Sequence, residues 1–197
     1  LRLNNNFEKY GSDTDTNILE ALGNIELLEY ALNTKDKIDV WKLQKMQSLL
    51  YKYTPFGNQL PFPRQEDNRI SGAEISTVDY RLIPQELIKV GEQINALIAK
   101  KELITIHEYV LESIKIHHRL TVIHPLNNGN GRCCRAMLLW LLRLKNIPPI
   151  YIQLEEKPRY INALNMIDTK GEYDQLELLV LEEIIHSMVI FDEKLEL

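Results

Sequence analysis

The chain has 197 residues, of which 45% are hydrophobic and 26% are charged, and its formal net charge is −5 at pH 7. This composition is typical of one globular domain with a substantial core and excludes a disordered protein. The acidic balance argues against a nucleic-acid-binding surface. No apolar run reaches the ~18 residues that a membrane-spanning helix needs, so we expect no membrane partner.

Hydrophobic residues three or four positions apart recur along most of the chain and predict an all-α bundle. The first of these patterns follows LRLNNNFEKYG, which has no apolar stretch typical of a secretory signal peptide. The chain begins with leucine and not with an initiator methionine, so we expect a fragment or a processed form. We predict helices over residues 15–32, 39–51, 84–100, 102–120, 131–144, 157–168 and 173–189.

Two segments between the helices lack this periodicity. Residues 54–69 contain three prolines and a glycine, which is typical of an extended loop. β-branched residues follow at positions 70–78 and favour either a short hairpin about residues 71–74 or a single strand. Two consecutive prolines, Pro148 and Pro149, break the helical pattern again.

The only cysteines are the neighbours Cys133 and Cys134. Adjacent cysteines in a helix point to different faces, so they do not form a disulfide framework, and we expect a cytoplasmic protein in a reducing compartment. Two small buried residues are the simpler interpretation of the pair, and thiol chemistry is the alternative.

The residues from His124 to Arg135 read HPLNNGNGRCCR and combine a glycine-rich turn with the start of a helix. Gly129 and Gly131 flank Asn130, and glycine permits backbone conformations in which successive N–H groups point at an anion. The N-terminal N–H groups and the dipole of the following helix also favour a phosphate. The segment therefore predicts a phosphate-binding turn.

Three side chains of this segment suit chemistry on that phosphate. Arg132 and Arg135 are three residues apart and share one helical face, and guanidinium groups pair well with phosphate oxygens. His124, with an ordinary pKa near ~6.5, can take a proton from an attacking hydroxyl. Each of these features alone is common in structural roles, but their contiguous combination predicts a phosphate-transfer site.

The same segment resembles the signature of the Fic family, HPFx(D/E)GNGRxxR. The resemblance covers about residues 40–185, because PRYINAL at 158–164 and the proline pair also recur in order. It implies a Fic-type helical bundle with a short β-hairpin flap, in which residues 40–197 form the core domain and residues 1–39 an N-terminal helical segment. Most members of that family transfer AMP from ATP to a hydroxyl side chain of a target protein.

The resemblance also implies roles for individual residues. His124 would be the catalytic base, and Leu126 keeps the apolar character of the phenylalanine that it replaces. The nucleotide would be bound by Asn128, Gly129, Asn130, Gly131, Arg132, Arg135 and Tyr160. A helical tyrosine is also a common core residue, so both interpretations of Tyr160 stay open.

Asn128 departs from the family pattern in a way that bears on metal binding. It stands where the family has an acidic residue that holds Mg²⁺ against the nucleotide phosphates. Magnesium prefers charged oxygen ligands, and an amide oxygen lacks the charge. We therefore expect Asn128 to hold Mg²⁺ or Mn²⁺ more weakly than a carboxylate would.

Residues 69–79 resemble the flap, an edge-exposed segment that docks a target backbone as an added strand. Its first residues, which we expect to contact the target, are Arg69, Ile70, Ser71 and Gly72. An incidental hairpin or loop is the alternative.

Many Fic proteins carry an inhibitory helix with the pattern (S/T)xxxE(G/N), whose glutamate pairs with the second arginine of the signature. Thr16 and Glu20 match this pattern, although Ala21 stands where glycine or asparagine is expected. A carboxylate competes with phosphate for a guanidinium group, so such a pair would inhibit the enzyme. A plain surface glutamate is the alternative, as is inhibition by a separate protein.

Together these observations predict a protein adenylyltransferase that uses ATP with Mg²⁺ or Mn²⁺ and modifies a Ser, Thr or Tyr hydroxyl of a target protein. Two alternatives remain. One is a phosphotransferase or another nucleotidyltransferase on the same fold, and the other is a nucleotide-binding module with weak or altered catalysis. The sequence leaves the oligomeric state open, a homodimer included.

Overall fold

A computed structural model of the chain describes residues 13–55, 57, 60–70 and 76–195. Within these ranges there are seven α-helices and a short 3-10 helix, with no strand. The all-α prediction is thus confirmed. The predicted β-hairpin is not shown, because residues 71–75, where its turn was expected, lie outside the described residues. None of the described helices is both long enough and apolar enough to cross a lipid bilayer. The α-helices are α1 (Asp13–Asn33), α2 (Lys42–Leu50), α3 (Ile83–Lys100), α4 (Ile106–Ile123), α5 (Asn130–Arg143), α6 (Lys157–Lys170) and α7 (Asp174–Leu195), and the 3-10 helix (Tyr80–Leu82) precedes α3.

α5 is the central helix of the bundle. It packs against α1, α2 and α4, and every side chain from Ala136 to Leu142 is buried. Trp140 meets the ring of Tyr30 from α1 edge to face, with 5.5 Å between the ring centroids. Because burial fixes the body of α5, it also fixes the direction of the first turn, where the signature residues lie.

α1 packs through a face that its apolar spacing does not reveal. Ile18 and Leu22 are about half exposed, whereas Ala31 is fully buried. Gly23 lies against the end of α2, where a Cβ on residue 23 would be 1.9 Å from the carbonyl oxygen of Leu50. This close approach of two backbones sets the rotation of α1, and only glycine permits it.

α4 begins at Ile106, four residues later than the apolar pattern predicts. Thr105 caps the helix, because its Oγ1 accepts from the Glu108 N–H at 3.1 Å while Glu108 Oε2 accepts from the Thr105 N–H at 2.8 Å. This capping box satisfies N–H groups that have no intrahelical acceptor. At its other end α4 continues to Ile123, three residues beyond the predicted helix, and leads directly to His124.

Candidate active site

The signature residues form the turn that joins α4 to α5. α4 ends where His124 adopts the left-handed conformation (φ 52°, ψ 56°), and Gly129, before α5, is left-handed too (φ 82°). The buried Asn130 side chain closes the turn, since the Leu126 N–H donates to Oδ1 at 2.8 Å and Nδ2 donates to the Leu126 carbonyl at 2.6 Å. Leu126 is fully buried and anchors the turn in the core.

Position 129 requires glycine for two reasons. The left-handed conformation costs other residues ~1–2 kcal/mol. In addition, a Cβ at Gly129 would lie 2.6 Å from Leu50 Cδ2 and 3.1 Å from Tyr51 Cε2, at the buried end of α2. Gln47 of α2 also donates to the Asn128 carbonyl at 3.3 Å. α2 therefore supports the glycine turn directly.

We expect Gly129→Ala to lower the free energy of unfolding by about 2–4 kcal/mol, because backbone strain and a collision with α2 combine. Gly171→Ala is the matched control, since Gly171 is left-handed (φ +72°) but has nothing within 4 Å of its Cβ position. Strain alone should cost that variant about 1 kcal/mol. Urea unfolding measures both losses, and equal losses would contradict the role of α2.

His124 contributes a neutral imidazole to the site. Its Nδ1 lies 3.2 Å from the carbonyl oxygen of Thr121, which can only accept, so Nδ1 carries the proton and Nε2 keeps its lone pair. Burial lowers the pKa of His124 to about 4, and the nearby Arg64 guanidinium lowers this pKa as well. The imidazole is therefore unprotonated at neutral pH and can accept a proton, as a general base must.

A cavity of about 560 Å³ opens beside the turn. Its walls come from the turn, from the end of α4, from α6 and from residues 68–70. This volume falls in the ~300–1,000 Å³ range of small-molecule sites. The predicted functional residues that line it are His124, Asn128, Gly129, Asn130, Gly131, Arg132, Arg135, Tyr160, Arg69 and Ile70.

Tyr160 is both a core residue and a cavity residue. Its hydroxyl lies 2.8 Å from Nε2 of buried His117, whose Nδ1 is 3.1 Å from the Cys134 carbonyl. Since a carbonyl only accepts, His117 donates a hydrogen bond through Nδ1 and accepts one from the Tyr160 hydroxyl through Nε2. The guanidinium carbon of Arg135 lies 5.7 Å from the centre of the Tyr160 ring. This chain of contacts orients Arg135. Sequence reasoning missed His117, and the signal that could have found it is a histidine on the apolar face of α4.

Glu20 of α1 forms an ion pair with Arg132, with 2.6 Å between Oε2 and Nη2. Arg132 Nη2 also donates to the Tyr51 hydroxyl at 3.2 Å. The resemblance led us to expect the pair at Arg135, and that expectation is wrong for this structure because Arg135 is turned toward α6 while Arg132 faces α1. Thr16, one turn before Glu20, is buried. The Glu20 carboxylate is therefore bound to the guanidinium group of Arg132, which also lines the cavity.

The α6 side of the cavity carries polar groups that the sequence did not single out. Lys157, Asn165 and Asp168 line it. Asp168 Oδ1 lies 2.7 Å from Nε2 of His118, so α4 and α6 are joined by this pair. Lys157, Asn165 and Asp168 all lie on α6 and belong to no local motif. The packing of α6 against α4 brings them to the cavity, and no spacing within the sequence records it.

The segment predicted as the flap is only partly described. Arg69 and Ile70 line the cavity, as expected for residues at the edge of the site. Ser71 and Gly72 lie outside the described residues.

The donor groups at the site limit how a metal ion can be held. No group of three or more His, Cys, Asp or Glu side chains among the described residues could hold a metal ion. Asn128 lines the cavity, and the carboxylate that lines it in the described part of the chain, Asp168, is paired with His118. These residues fit a divalent cation that is carried on nucleotide phosphates, with the Asn128 amide oxygen as a protein ligand.

Cys133 and Cys134 are fully buried in α5. Burial raises the pKa of both thiols, that of Cys134 to about 12, so both stay protonated. This supports their interpretation as core residues and argues against thiol chemistry.

Comparison with known proteins gives the family. The model of the Fic/DOC family matches residues 37–142, which is more than half of the chain. A protein adenylyltransferase Fic from Nematostella vectensis is 28% identical over 82 residues, which is 42% of this chain but only 19% of that protein. The alignment thus spans about a fifth of this relative.

Solved structures share the fold. Fic-1 from C. elegans superposes with a TM-score of 0.70 at 17% identity, over 90% of this chain and 52% of that chain. The N-terminal Fic domain of a VirB-translocated Bep effector protein from Bartonella quintana, with bound ADP, gives a TM-score of 0.70 at 18% identity, over 87% of this chain and 86% of that one. The motif, the fold and the family match agree, and this chain belongs to the Fic/DOC family.

Proposed function

We propose that this chain is a protein adenylyltransferase that transfers AMP from ATP to a Ser, Thr or Tyr hydroxyl of a target protein. The observation that carries the proposal is that a neutral His124, the glycine turn and both signature arginines line one cavity of nucleotide size. The relative named protein adenylyltransferase and the neighbour with bound ADP support the choice of donor.

The turn and the arginines would bind the triphosphate. The first N–H groups of α5 have no intrahelical acceptor and carry the positive end of the helix dipole, so they favour phosphate oxygens. Arg132 and Arg135 add two guanidinium groups at the same helix end. A divalent cation bound to the phosphates and to Asn128 would neutralise charge that develops on the leaving group.

His124 would supply the proton transfer. Its Nε2 takes the hydroxyl proton of the target as that oxygen attacks the α-phosphorus. The new bond joins the hydroxyl oxygen to the α-phosphorus, the bond from that phosphorus to the bridging oxygen of the β-phosphate breaks, and pyrophosphate leaves. Positioning and charge stabilisation would supply most of the acceleration, as in phosphoryl transfer generally.

We also propose that α1 inhibits this reaction from within the chain. The Glu20 carboxylate holds Arg132, and a phosphate would need the same guanidinium. In this arrangement residues 1–39 are an inhibitory segment and residues 40–197 the core domain, and inhibition does not depend on a separate protein.

Label transfer from ATP tests the function. We expect label from α-labelled ATP, and none from γ-labelled ATP, on the protein itself or on proteins of a cell lysate. Label from the γ-position would instead identify a phosphotransferase on the same fold. Nucleotide binding without transfer from either position would favour the nucleotide-binding module, for which the amide at Asn128 is the supporting observation.

We expect Asn128→Asp to increase AMP transfer with Mg²⁺ on the order of tenfold, since one unit charge at ligand distance gives ~1 kcal/mol or more even in water. Mn²⁺ binding in the presence of ADP, followed by electron paramagnetic resonance, should tighten in parallel. Asn127→Asp is the matched control, because it adds the same charge one residue away. An equal gain in both variants would show a general charge effect and contradict a metal ligand at position 128.

A further inference from the structure

Arg64 is a buried arginine outside the signature, and it lies in the loop that precedes α3. Its side chain is fully buried, yet its nearest carboxylate, Asp67, is 3.6 Å away and mostly exposed. A buried guanidinium needs acceptors for its N–H groups. Here the acceptors are backbone carbonyls, which fall into two sets.

The first set of carbonyls belongs to the catalytic turn. Arg64 Nε donates to the His124 carbonyl at 2.8 Å, and Nη2 lies 3.5 Å from the Ile123 carbonyl. The Arg64 backbone N–H donates to the Pro125 carbonyl at 2.8 Å. The last carbonyls of a helix have no intrahelical donor, so Arg64 caps α4.

This cap acts at a residue whose backbone conformation is unfavourable. His124 has φ 52°, and the left-handed conformation costs a residue with a side chain ~1–2 kcal/mol. Such a conformation persists only when its surroundings fix it. The hydrogen bond from Arg64 to the His124 carbonyl is one of the contacts that hold it, together with the His124 N–H, which donates to the Leu120 carbonyl at 3.0 Å.

The second set of carbonyls flanks residues 71–75. Arg64 Nη1 donates to the Glu66 carbonyl at 2.5 Å, and Nη2 donates to the Val78 carbonyl. The Val78 N–H in turn donates to the Val122 carbonyl of α4 at 3.3 Å. One guanidinium thus joins the chain on both sides of residues 71–75 to the turn that carries His124.

We propose that Arg64 is a positioning residue, which holds the left-handed His124 and fastens Glu66 and Val78, on either side of residues 71–75, to the catalytic turn. This role rests on the proposed function, because Arg64 would align the hydroxyl of a docked target protein with His124 as the base. A guanidinium suits it, since its planar fork can reach several carbonyls that a single ammonium cannot.

Arg64→Lys tests the role while it keeps the charge. Self-labelling from α-labelled ATP, measured in a Glu20→Gln background at varied ATP concentration, should show a maximal rate lower by about tenfold or more, since small misplacements of reacting groups are costly. The KM for ATP and the Kd for ADP should stay within about twofold, because the phosphate-binding groups are untouched. Arg81→Lys is the control, because the Arg81 side chain is 72% exposed and pairs with Asp79, not with the turn.

Hydrogen exchange provides a readout that does not depend on activity. In Arg64→Lys the amides of Val78 and His124 should exchange faster, while those in the middle of α5 should not change. Faster exchange throughout the chain with weaker ADP binding would show a general structural role and overturn the proposal. An unchanged maximal rate with unchanged exchange would overturn it too.

Two further results keep the test decisive. If Arg64→Lys does not fold, the Arg64 Nε proton of the unmutated protein should still exchange slowly with solvent in nuclear magnetic resonance spectra, and rapid exchange would overturn the proposal. If the unmutated protein transfers no AMP, the proposed function fails. The exchange rates at Val78 and His124 then still decide whether Arg64 organises the turn.

Discussion

Replacing His124 with alanine should reduce AMP transfer by ~10²–10⁴-fold, the usual contribution of a positioned general base. ADP binding should change little, because the turn is held by Asn130, Leu126 and α2 and not by the imidazole. The measurements are the initial rate of α-label transfer and the Kd for ADP. A loss of rate with intact binding is the signature of a group that acts only in the chemical step.

The control for this variant is His107→Ala. His107 lies in the first turn of α4, at the opposite end of that helix from His124, and it is exposed and pairs with Glu177 of α7. The His107→Ala variant should transfer AMP at the rate of the unmutated protein. Transfer by His124→Ala at a similar rate would contradict the assignment of the base.

The pH dependence of kcat/KM gives a second measurement on His124. An imidazole with an ordinary pKa of ~6.5 would be about nine-tenths protonated at pH 5.5, and transfer would fall about tenfold from its plateau. Burial lowers the pKa of His124 to about 4. The neutral base therefore persists as pH falls, and kcat/KM should stay nearly flat between pH 7 and pH 5.5. A tenfold drop over that range would show that the imidazole is not desolvated in the free enzyme.

The contiguous part of this site could be predicted from the sequence because it is local. His124 and the residues up to Arg135 share one turn and the start of one helix, so spacing alone brings them together. The direction of Arg135 could not be predicted in this way. It depends on Tyr160 from α6 and His117 from α4, which meet only through tertiary packing.

Arg64 shows a different limit of the sequence. It lies in a segment with three prolines and a glycine that carries no periodic pattern, and an isolated arginine in such a loop normally predicts a surface charge. Its burial arises because carbonyls of the helix end and of two loop stretches converge on one point. No spacing rule records that convergence, whereas apolar periodicity predicts all seven helices, with bounds that differ from the structure by up to six residues at the end of α7.

Glu20→Gln should increase AMP transfer by about 5–150-fold, the range that corresponds to a coupling free energy of ~1–3 kcal/mol. The variant keeps the length of the side chain and the helix but removes the charge that holds Arg132 at 2.6 Å. Arg132 then becomes available to phosphate oxygens. The measurements are the rate of α-label transfer and the Kd for a non-hydrolysable ATP analogue.

Glu26→Gln is the matched control on the same helix. Glu26 pairs with Lys52 at 2.8 Å and accepts from the Tyr53 hydroxyl at 2.5 Å, so it also joins α1 to the end of α2. It does not contact the signature arginines. If α1 inhibits only by packing against the core, both variants loosen that packing and both should gain activity.

The two variants therefore separate competition for a guanidinium from a general release of α1. Competition predicts faster AMP transfer for Glu20→Gln alone. It also predicts a tighter Kd for the triphosphate analogue in this variant, because phosphate no longer has to displace a carboxylate from Arg132. It also predicts a smaller change in the Kd for AMP, which has fewer phosphates to reach Arg132. Equal gains for Glu20→Gln and Glu26→Gln, or no gain in either, would contradict the proposal that the Glu20 carboxylate is the inhibitory group.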